Sequence, residues 1–508
     1  MKNNQEKKVN PLFAVLIVFL LGFFLINDLG IRYIFAYALL GVVFVAGILV
    51  SGIWRPGKKL SQTFTEVRNR MTPIKGCFLF LVTATTVLSF LPHANIGHLV
   101  ISLTISMLVF TAYFVFMEPS EKGVSRAFAA IHVMSILFAL YIMAVMLWPD
   151  FYWENIYPHL GDYVQEQADK LLPMGYGVPV GGSSTYTDYL MSIAILVNVA
   201  DLFMEGAPRS RKRFVFLVAS SALYGSAILL MGRRSEVLSL GAAGLMMLLL
   251  HVSPRGKGDT LRKFGALALI VLLMILILTP FALGGYMHRY SKLIDAIIPE
   301  SIVSLMNKNA EDVTQPSSEE TEAPTDASTE APTDAPTETP TDAPTEAPTD
   351  TPTEPPKPEK PKPTANQLTS GRLDLWKKAL ELFSEKPAFG IGWEQFMNHN
   401  TYEHDVHNTY LQWLCEAGIV GCVLLMVPTA GMYLITLRRT IRYRRKGCTV
   451  PYGIRRMNFV SLGMQTFLLA VNLIDPAYYH LNYFCFLALV IGLEDAAGRL
   501  EAESVARS

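Results

Sequence analysis

Cysteine is scarce in this 508-residue chain, with five in all, at Cys77, Cys415, Cys422, Cys448 and Cys485. They are scattered through apolar or basic segments without a CxxC pair, which supplies neither a disulfide framework nor a thiolate metal centre. The chain also lacks a P-loop, a GxSxG elbow, an HExxH pair and a dinucleotide fingerprint. Nucleotide hydrolysis, serine hydrolysis and zinc proteolysis are left without their machinery. Basic residues precede the first apolar run, but no small-residue cleavage site follows, so a retained first span is expected rather than a signal peptide. Net charge is absent too, at 43 basic against 43 acidic residues. That balance is local in origin: residues 319–354 hold eleven acidic residues and no basic one, leaving the remainder net basic by the same amount.

What the chain has is apolar length. Hydrophobic residues make up 51%, and many runs reach about 20 residues, enough to cross roughly 30 Å of hydrocarbon. Spans are expected near 11–28, 31–53, 74–92, 97–117, 127–148, 185–204, 214–231, 235–252, 264–284, 409–437, 457–475 and 479–494. The expected fold is all-α, a polytopic membrane protein of about twelve transmembrane helices. Orientation follows from the bias of Lys and Arg toward cytoplasmic loops. Lys2, Lys7 and Lys8 put the N-terminus inside. Counting forward, the inner loops 54–73, 118–126, 205–213, 253–263 and 438–456 are all basic. Among the short outer turns only Arg32 and the pair Arg233 and Arg234 dissent. Both termini are therefore expected in the cytoplasm. Nine spans (1–284) would precede an extracytoplasmic loop (285–408), and three spans (409–495) and a cytoplasmic tail (496–508) would follow it.

The outer loop at 149–184 carries Phe151, Tyr152, Trp153 and Tyr157 and a Gly-rich end. These aromatics read as an interfacial belt, with a sugar platform as the alternative. Ser183, Ser184, Thr185 and Thr187 after it are candidates either for substrate hydrogen bonds or for capping the next helix. Within 285–408, Thr-(Glu/Asp)-x-Pro repeats about nine times from Thr321 to Pro356. Proline every fourth residue forbids a helix, and little apolar area offsets the entropy of ordering. A disordered tether over about 313–366 is expected, serving as a spacer, and the working part of the loop is then 366–408.

Four groups in the outer segments are candidates for chemistry. Gly232-Arg233-Arg234-Ser235 sits in a tight outer turn, on the face that should be poor in positive charge. Two adjacent guanidiniums there offer planar forks suited to phosphate oxygens. Residues 370–384 form an amphipathic helix pattern, with Leu373, Trp376, Leu380 and Phe383 on one stripe, expected along the membrane surface or against the bundle. Arg372 in its first turn gains nothing from the helix dipole and needs another partner. His404-Asp405-Val406-His407-Asn408 is the densest outer cluster of titratable groups, and a histidine there can take a proton from a hydroxyl. As a metal site it lacks a third ligand at the right spacing. Glu416 lies two turns into the next span, where a carboxylate needs a partner, either an arginine or the histidine.

These residues resemble the O-antigen ligase and polymerase family. GRRS is similar to the family's Gly-Ser-Arg-Ser turn. Gly371-Arg372, Trp376 and FSEKPAFGIGWEQF resemble its outer-loop signature, and HNTYLQWLCEAGIVG resembles its His-Asn-x-x-Leu…Glu-x-Gly-x-x-Gly segment. Arg233 departs from the pattern by standing at the family's serine position. The resemblance implies a glycosyltransferase acting on undecaprenyl-diphosphate-linked oligosaccharide at the outer face of the cytoplasmic membrane, inverting and independent of a metal or other cofactor. It implies that Arg234 and Arg372 bind the diphosphate and that His407 is the general base. Arg233, Asn408, Glu416 and His404 would support substrate binding. The implied partners are the lipid-linked donor, a glycan, lipid or protein acceptor, and the bilayer, with no nucleic acid. Polymerase and ligase stay open, and the alternative class is a multi-span transporter or flippase of lipid-linked glycans.

Overall fold

The computed structural model describes residues 71–89, 121–179, 184–204, 210–251, 257–283, 371–401, 404–445, 448–479 and 481–507, with a few positions between 57 and 68. Among these every regular element is helical. Twelve α-helices follow in order: α1 (Pro73–Ser89), α2 (Glu121–Leu147), α3 (Pro149–Asn155), α4 (Asp162–Leu171), α5 (Ser184–Phe203), α6 (Arg211–Leu230), α7 (Arg234–His251), α8 (Lys257–Leu283), α9 (Arg372–Glu385), α10 (Thr409–Tyr443), α11 (Tyr452–Val471) and α12 (Leu481–Arg507). Nine of them fall on expected spans. The expected spans at 11–28, 31–53 and 97–117 and the tether at 313–366 lie outside the described residues.

Four helices, α2, α6, α8 and α10, are long and apolar enough to cross a membrane, so the protein is a polytopic, all-helical membrane protein. The most apolar of them is the least buried, opposite to what a soluble protein shows. The apolar stretch of α8, Thr260–Ala282, has the highest hydropathy at 2.7, yet only 17% of it is buried. Its Leu261, Val271, Leu272, Ile275 and Leu276 face outward, where lipid is as good a solvent as a protein core. The central α11 is the reverse: 13 of its 20 residues are buried, polar ones included, and none is fully exposed. Those polar groups find partners inside the bundle. Gln465 donates to Thr436 Oγ1 at 2.7 Å, Ser461 to the Val490 carbonyl at 2.8 Å, and Asn198 on α5 to Ser220 and Ser221 on α6. A polar group left unpaired in hydrocarbon costs several kcal/mol, by the order-of-magnitude rule for membrane interiors, so polarity collects where helices meet.

The buried ion pairs among the described residues gather in two belts, one at each end of the bundle. At one end Asp201 of α5 takes Arg213 at 2.7 Å, Arg456 at 2.6 Å and the Tyr452 hydroxyl at 2.6 Å. Asp495 of α12 takes Lys75 at 3.2 Å and Arg499 at 2.7 Å. At the other end lie Asp188, the 231–236 turn, the 404–408 segment and the 472–479 turn. Because α5 carries Asp188 at its start and Asp201 at its end, it connects the two belts.

Outside the bundle, α9 packs against the head of α10. It buries Leu375, Ala379 and Leu382 in one cluster with Ile391, Phe396, Val406 and Cys415, flanked by Trp376 and Phe383. The stripe expected at Leu373, Trp376, Leu380 and Phe383 is therefore shifted: Leu380 is exposed, and the face is centred on Leu375, Ala379 and Leu382. The i, i+4, i+7 spacing wins because the partner is a packed protein surface. The helix begins after Gly371, whose φ of +82° makes it a backbone cap without a side-chain bond.

Candidate functional site

The arginine turn is shaped by a close approach. Gly232 has φ +75°, and a Cβ built on it would stand 2.7 Å from the Tyr176 ring. The amide of Gly177 donates to the Leu230 carbonyl at 3.0 Å, so the Gly-rich end of the 149–179 loop is stitched to the last turn of α6. Here only glycine meets both the positive φ and the contact.

Beyond the turn the two arginines part. Arg233 folds inward. Its Nε donates to Asp188 Oδ2 at 2.9 Å and lies 3.8 Å from Glu236 Oε1. Burial works against its charge, but Glu236, Asp188 and Asp475 outweigh that, and its pKa is raised above the ordinary arginine value. Arg234 is the first residue of α7 and is exposed. It stands at a helix N-terminus, where the backbone amides and the macrodipole also favour an anion.

His407 reaches the same region from the opposite side of the sequence. It adopts φ +52°, one of two non-glycine residues with positive φ among the described residues. Strain of this kind costs on the order of 1–3 kcal/mol and persists only where neighbours enforce it. They do so on both flanks. Before it, the Val406 side chain is fully buried and its carbonyl accepts Trp376 Nε1 at 3.1 Å. After it, Asn408 caps α10, its Oδ1 accepting the amides of Tyr410 at 3.0 Å and Leu411 at 3.1 Å. The amide of the same side chain donates to the Leu473 carbonyl, while Thr409 clamps Asn472 through its amide and its hydroxyl, both at 2.8 Å. The head of α10 and the 472–479 turn are one unit.

That unit delivers Asp475. Its Oδ1 is 3.5 Å from His407 Nδ1, an ion-pair distance, and its Oδ2 accepts the Ser235 hydroxyl at 3.4 Å. Ser235 lies nearer still to Glu236 Oε2, at 2.8 Å. One carboxylate thus joins the histidine segment to the arginine turn.

Glu416 is fully buried, and no arginine meets it among the described residues. Its Oε1 accepts the Phe396 amide at 3.1 Å and Gln412 Nε2 at 3.3 Å, and its Oε2 accepts the Tyr479 hydroxyl at 2.7 Å. Two residues on, Gly418 breaks the helical path with φ +65° and ψ −170°. The 387–392 loop takes up the interrupted ladder: Ile391 and Gly392 donate to the carbonyls of Cys415 and Glu416, and Ile419 and Val420 donate to those of Pro387 and Ala388. A Cβ on Gly390 or Gly418 would stand 2.3–2.4 Å from the facing backbone. The glycines at 390 and 418 thus exist for one backbone-to-backbone junction.

Of the expected site residues, His407 and Arg233 come together around Asp475, with Asn408 capping α10 beside them and Arg234 following in the same turn. His404 is exposed, its ring 6.3 Å from that of His407. Arg372 heads α9, half-buried and with no ion pair among the described residues. It shares a helix face with Trp376 four residues on, which bonds the residue before His407. Sequence reasoning named Ser235 only as part of the arginine turn and missed Asp188, Glu236 and Asp475. The available signal was a lone acid at the end of an apolar span, at Asp188 in TYTDYL and at Asp475 in NLIDP. Among the described residues, no three His, Cys, Asp or Glu side chains form a metal-binding group.

A polytopic helical membrane protein with a cluster of arginine, carboxylate and histidine side chains where its helices end is the class this architecture defines. Residues 219–426 match the model of the O-antigen ligase family, so this part of the chain is an O-antigen ligase domain. The matched stretch takes in the arginine turn, α9, His407 and the Gly418 junction, and leaves out Asp188 and Asp475. No curated protein matches the chain.

Proposed function

We propose that the chain is a twelve-span glycosyltransferase with both termini cytoplasmic. It transfers saccharide from an undecaprenyl-diphosphate carrier to an acceptor hydroxyl at the outer face of the cytoplasmic membrane, inverting the anomeric centre without a metal. The observation that supports this best is the meeting at Asp475 of a histidine and an arginine-bearing turn.

The roles follow from the chemistry. The acceptor oxygen attacks the anomeric carbon and loses its proton to His407 Nε2. Asp475, at Nδ1, holds the ring and stabilises the imidazolium that forms. The bond from the anomeric carbon to the diphosphate breaks on the opposite side, and its electron pair leaves on the diphosphate. Arg234 and Arg372, each at a helix N-terminus, stabilise the charge that develops there. Arg233 is committed to Asp188 and Glu236, so it aims Arg234 and does not compete for the ligand. Asn408 and Glu416 hold the head of α10, and His404 lines the acceptor side. The expected domain layout, with nine spans before the outer loop and three after it, places all these groups on one face.

The test is glycan transfer by purified protein in liposomes charged with lipid-linked saccharide. His407→Ala and Arg234→Ala should each abolish product, about a 10²–10⁴-fold loss for a general base, with normal membrane expression. Product from either variant at the wild-type rate would overturn the assignment, and carrier movement without glycan product would favour a flippase. In a deletion strain, single units retained on the carrier indicate a polymerase and long chains stranded there indicate a ligase.

A further inference from the structure

At the end of α10 opposite His407, an open groove of about 480 Å³ is lined by Arg438, Arg439, Arg442 and Arg445, with Ile435 and Ile441 between them. The four guanidiniums are not equivalent. Arg439 pairs with Glu494, and Arg442 with Glu501 at 2.5–2.6 Å. The Arg438 and Arg445 guanidiniums have no partner among the described residues and are exposed. The groove therefore holds two positive charges that no described residue neutralises.

These two arginines also lie at the foot of an apolar stripe. Val423, Val427, Leu434 and Ile441 are 44–63% exposed, and Ala430 between them is exposed as well. At about 3.6 residues per turn, positions 423, 427, 430, 434, 438, 441 and 445 fall within roughly 80° of arc on α10. One face thus runs from outward-facing aliphatic side chains to two arginines whose backbone positions are roughly 10 Å apart along the axis, within reach of one phosphate for two such long side chains. That is the polarity of a phospholipid, with acyl chain along the stripe and phosphate at the arginines.

We propose that this groove is a binding site for one anionic phospholipid, whose headgroup phosphate bridges Arg438 and Arg445. Ordinary topology-setting arginines would attract acidic lipids diffusely, whereas this groove selects through position. The site lies away from the catalytic end and does not depend on the glycosyl-transfer reading.

The experiment is native mass spectrometry of full-length protein in neutral detergent, titrated with dioleoylphosphatidylglycerol, dioleoylphosphatidylcholine or soluble glycerol 3-phosphate. One phosphatidylglycerol should bind saturably, with phosphatidylcholine and glycerol 3-phosphate at least tenfold weaker. Arg438→Gln/Arg445→Gln should weaken phosphatidylglycerol about 30-fold, from roughly fivefold per basic residue at a membrane surface. Arg438→Lys/Arg445→Lys should restore most of the affinity. Arg211→Gln/Lys212→Gln removes the same charge from a different loop and should leave the affinity unchanged. Equal weakening by both neutral pairs would reduce the effect to diffuse attraction and overturn the proposal, as would equal retention of phosphatidylcholine. Tight binding of glycerol 3-phosphate would make the ligand a soluble phosphate and overturn the lipid. Elution as a single monodisperse peak establishes that each variant is folded, and the lysine pair carries the test if the glutamine pair is not.

Discussion

Gly418→Ala probes the junction that holds the site together. The residue sits at φ +65°, ψ −170°, a region essentially restricted to glycine, where a side chain costs about 1–3 kcal/mol. Its new Cβ would stand 2.4 Å from the Ala388 carbonyl carbon and oxygen and 2.5 Å from the Phe389 nitrogen. Relief requires the 387–392 loop to back away, which strains the bonds from Ile419 to Pro387 at 2.8 Å and from Val420 to Ala388 at 3.1 Å. Two hydrogen bonds at about 0.5–1.5 kcal/mol each bring the expected loss to about 2–6 kcal/mol. Gly390→Ala attacks the same contact from the other side, so the double variant should cost clearly less than the sum of the singles. Gly244→Ala in α7 is the control: nothing lies within 4 Å of its new Cβ, and alanine is the better helix former by roughly 1 kcal/mol. The assay is survival of the folded peak in size exclusion after heating, beside glycan transfer at low temperature. A Gly418→Ala protein as heat-resistant and active as wild type would refute the close-approach argument.

Other outcomes follow from the same geometry. Asp475→Asn keeps the shape but removes the charge opposite His407 Nδ1, and should lower kcat by on the order of 10²-fold with KM for the lipid donor nearly unchanged. A change confined to KM would count against the pairing. Removing one partner of the Arg233–Asp188 pair, by Arg233→Ser or Asp188→Asn, should destabilise the fold by about 3–5 kcal/mol. The double variant should recover part of that loss in the same heating assay. Deleting residues 319–361 should leave transfer largely intact, and abolished transfer would make the repeat part of the site.

The site was partly legible in the sequence. GRRS stood out because arginines break the charge rule in an outer turn, and His407 stood out because titratable groups are rare at the head of an apolar run. Asp475 was not legible, since one acid in NLIDPAYYH carries no pattern of its own. Its meaning comes from the bonds of Thr409 and Asn408 to Asn472 and Leu473, which are contacts between distant segments. Glu416 was legible as a carboxylate in need of a partner. Its partners proved to be a backbone amide, Gln412 and Tyr479, and of these only Gln412, one helical turn back, follows from local spacing.

Apolar run length and the placement of Lys and Arg determined, from the sequence alone, that the chain is helical, polytopic and charged at its helix ends. Both signals are local, because the bilayer acts on each segment separately. The face of α9, the different fates of Arg233 and Arg234, and the use of Gly390 and Gly418 were decided only by the tertiary structure. Each depends on which backbone or carboxylate lies opposite, and a packed partner, unlike a solvent, is not written in a residue's own neighbourhood.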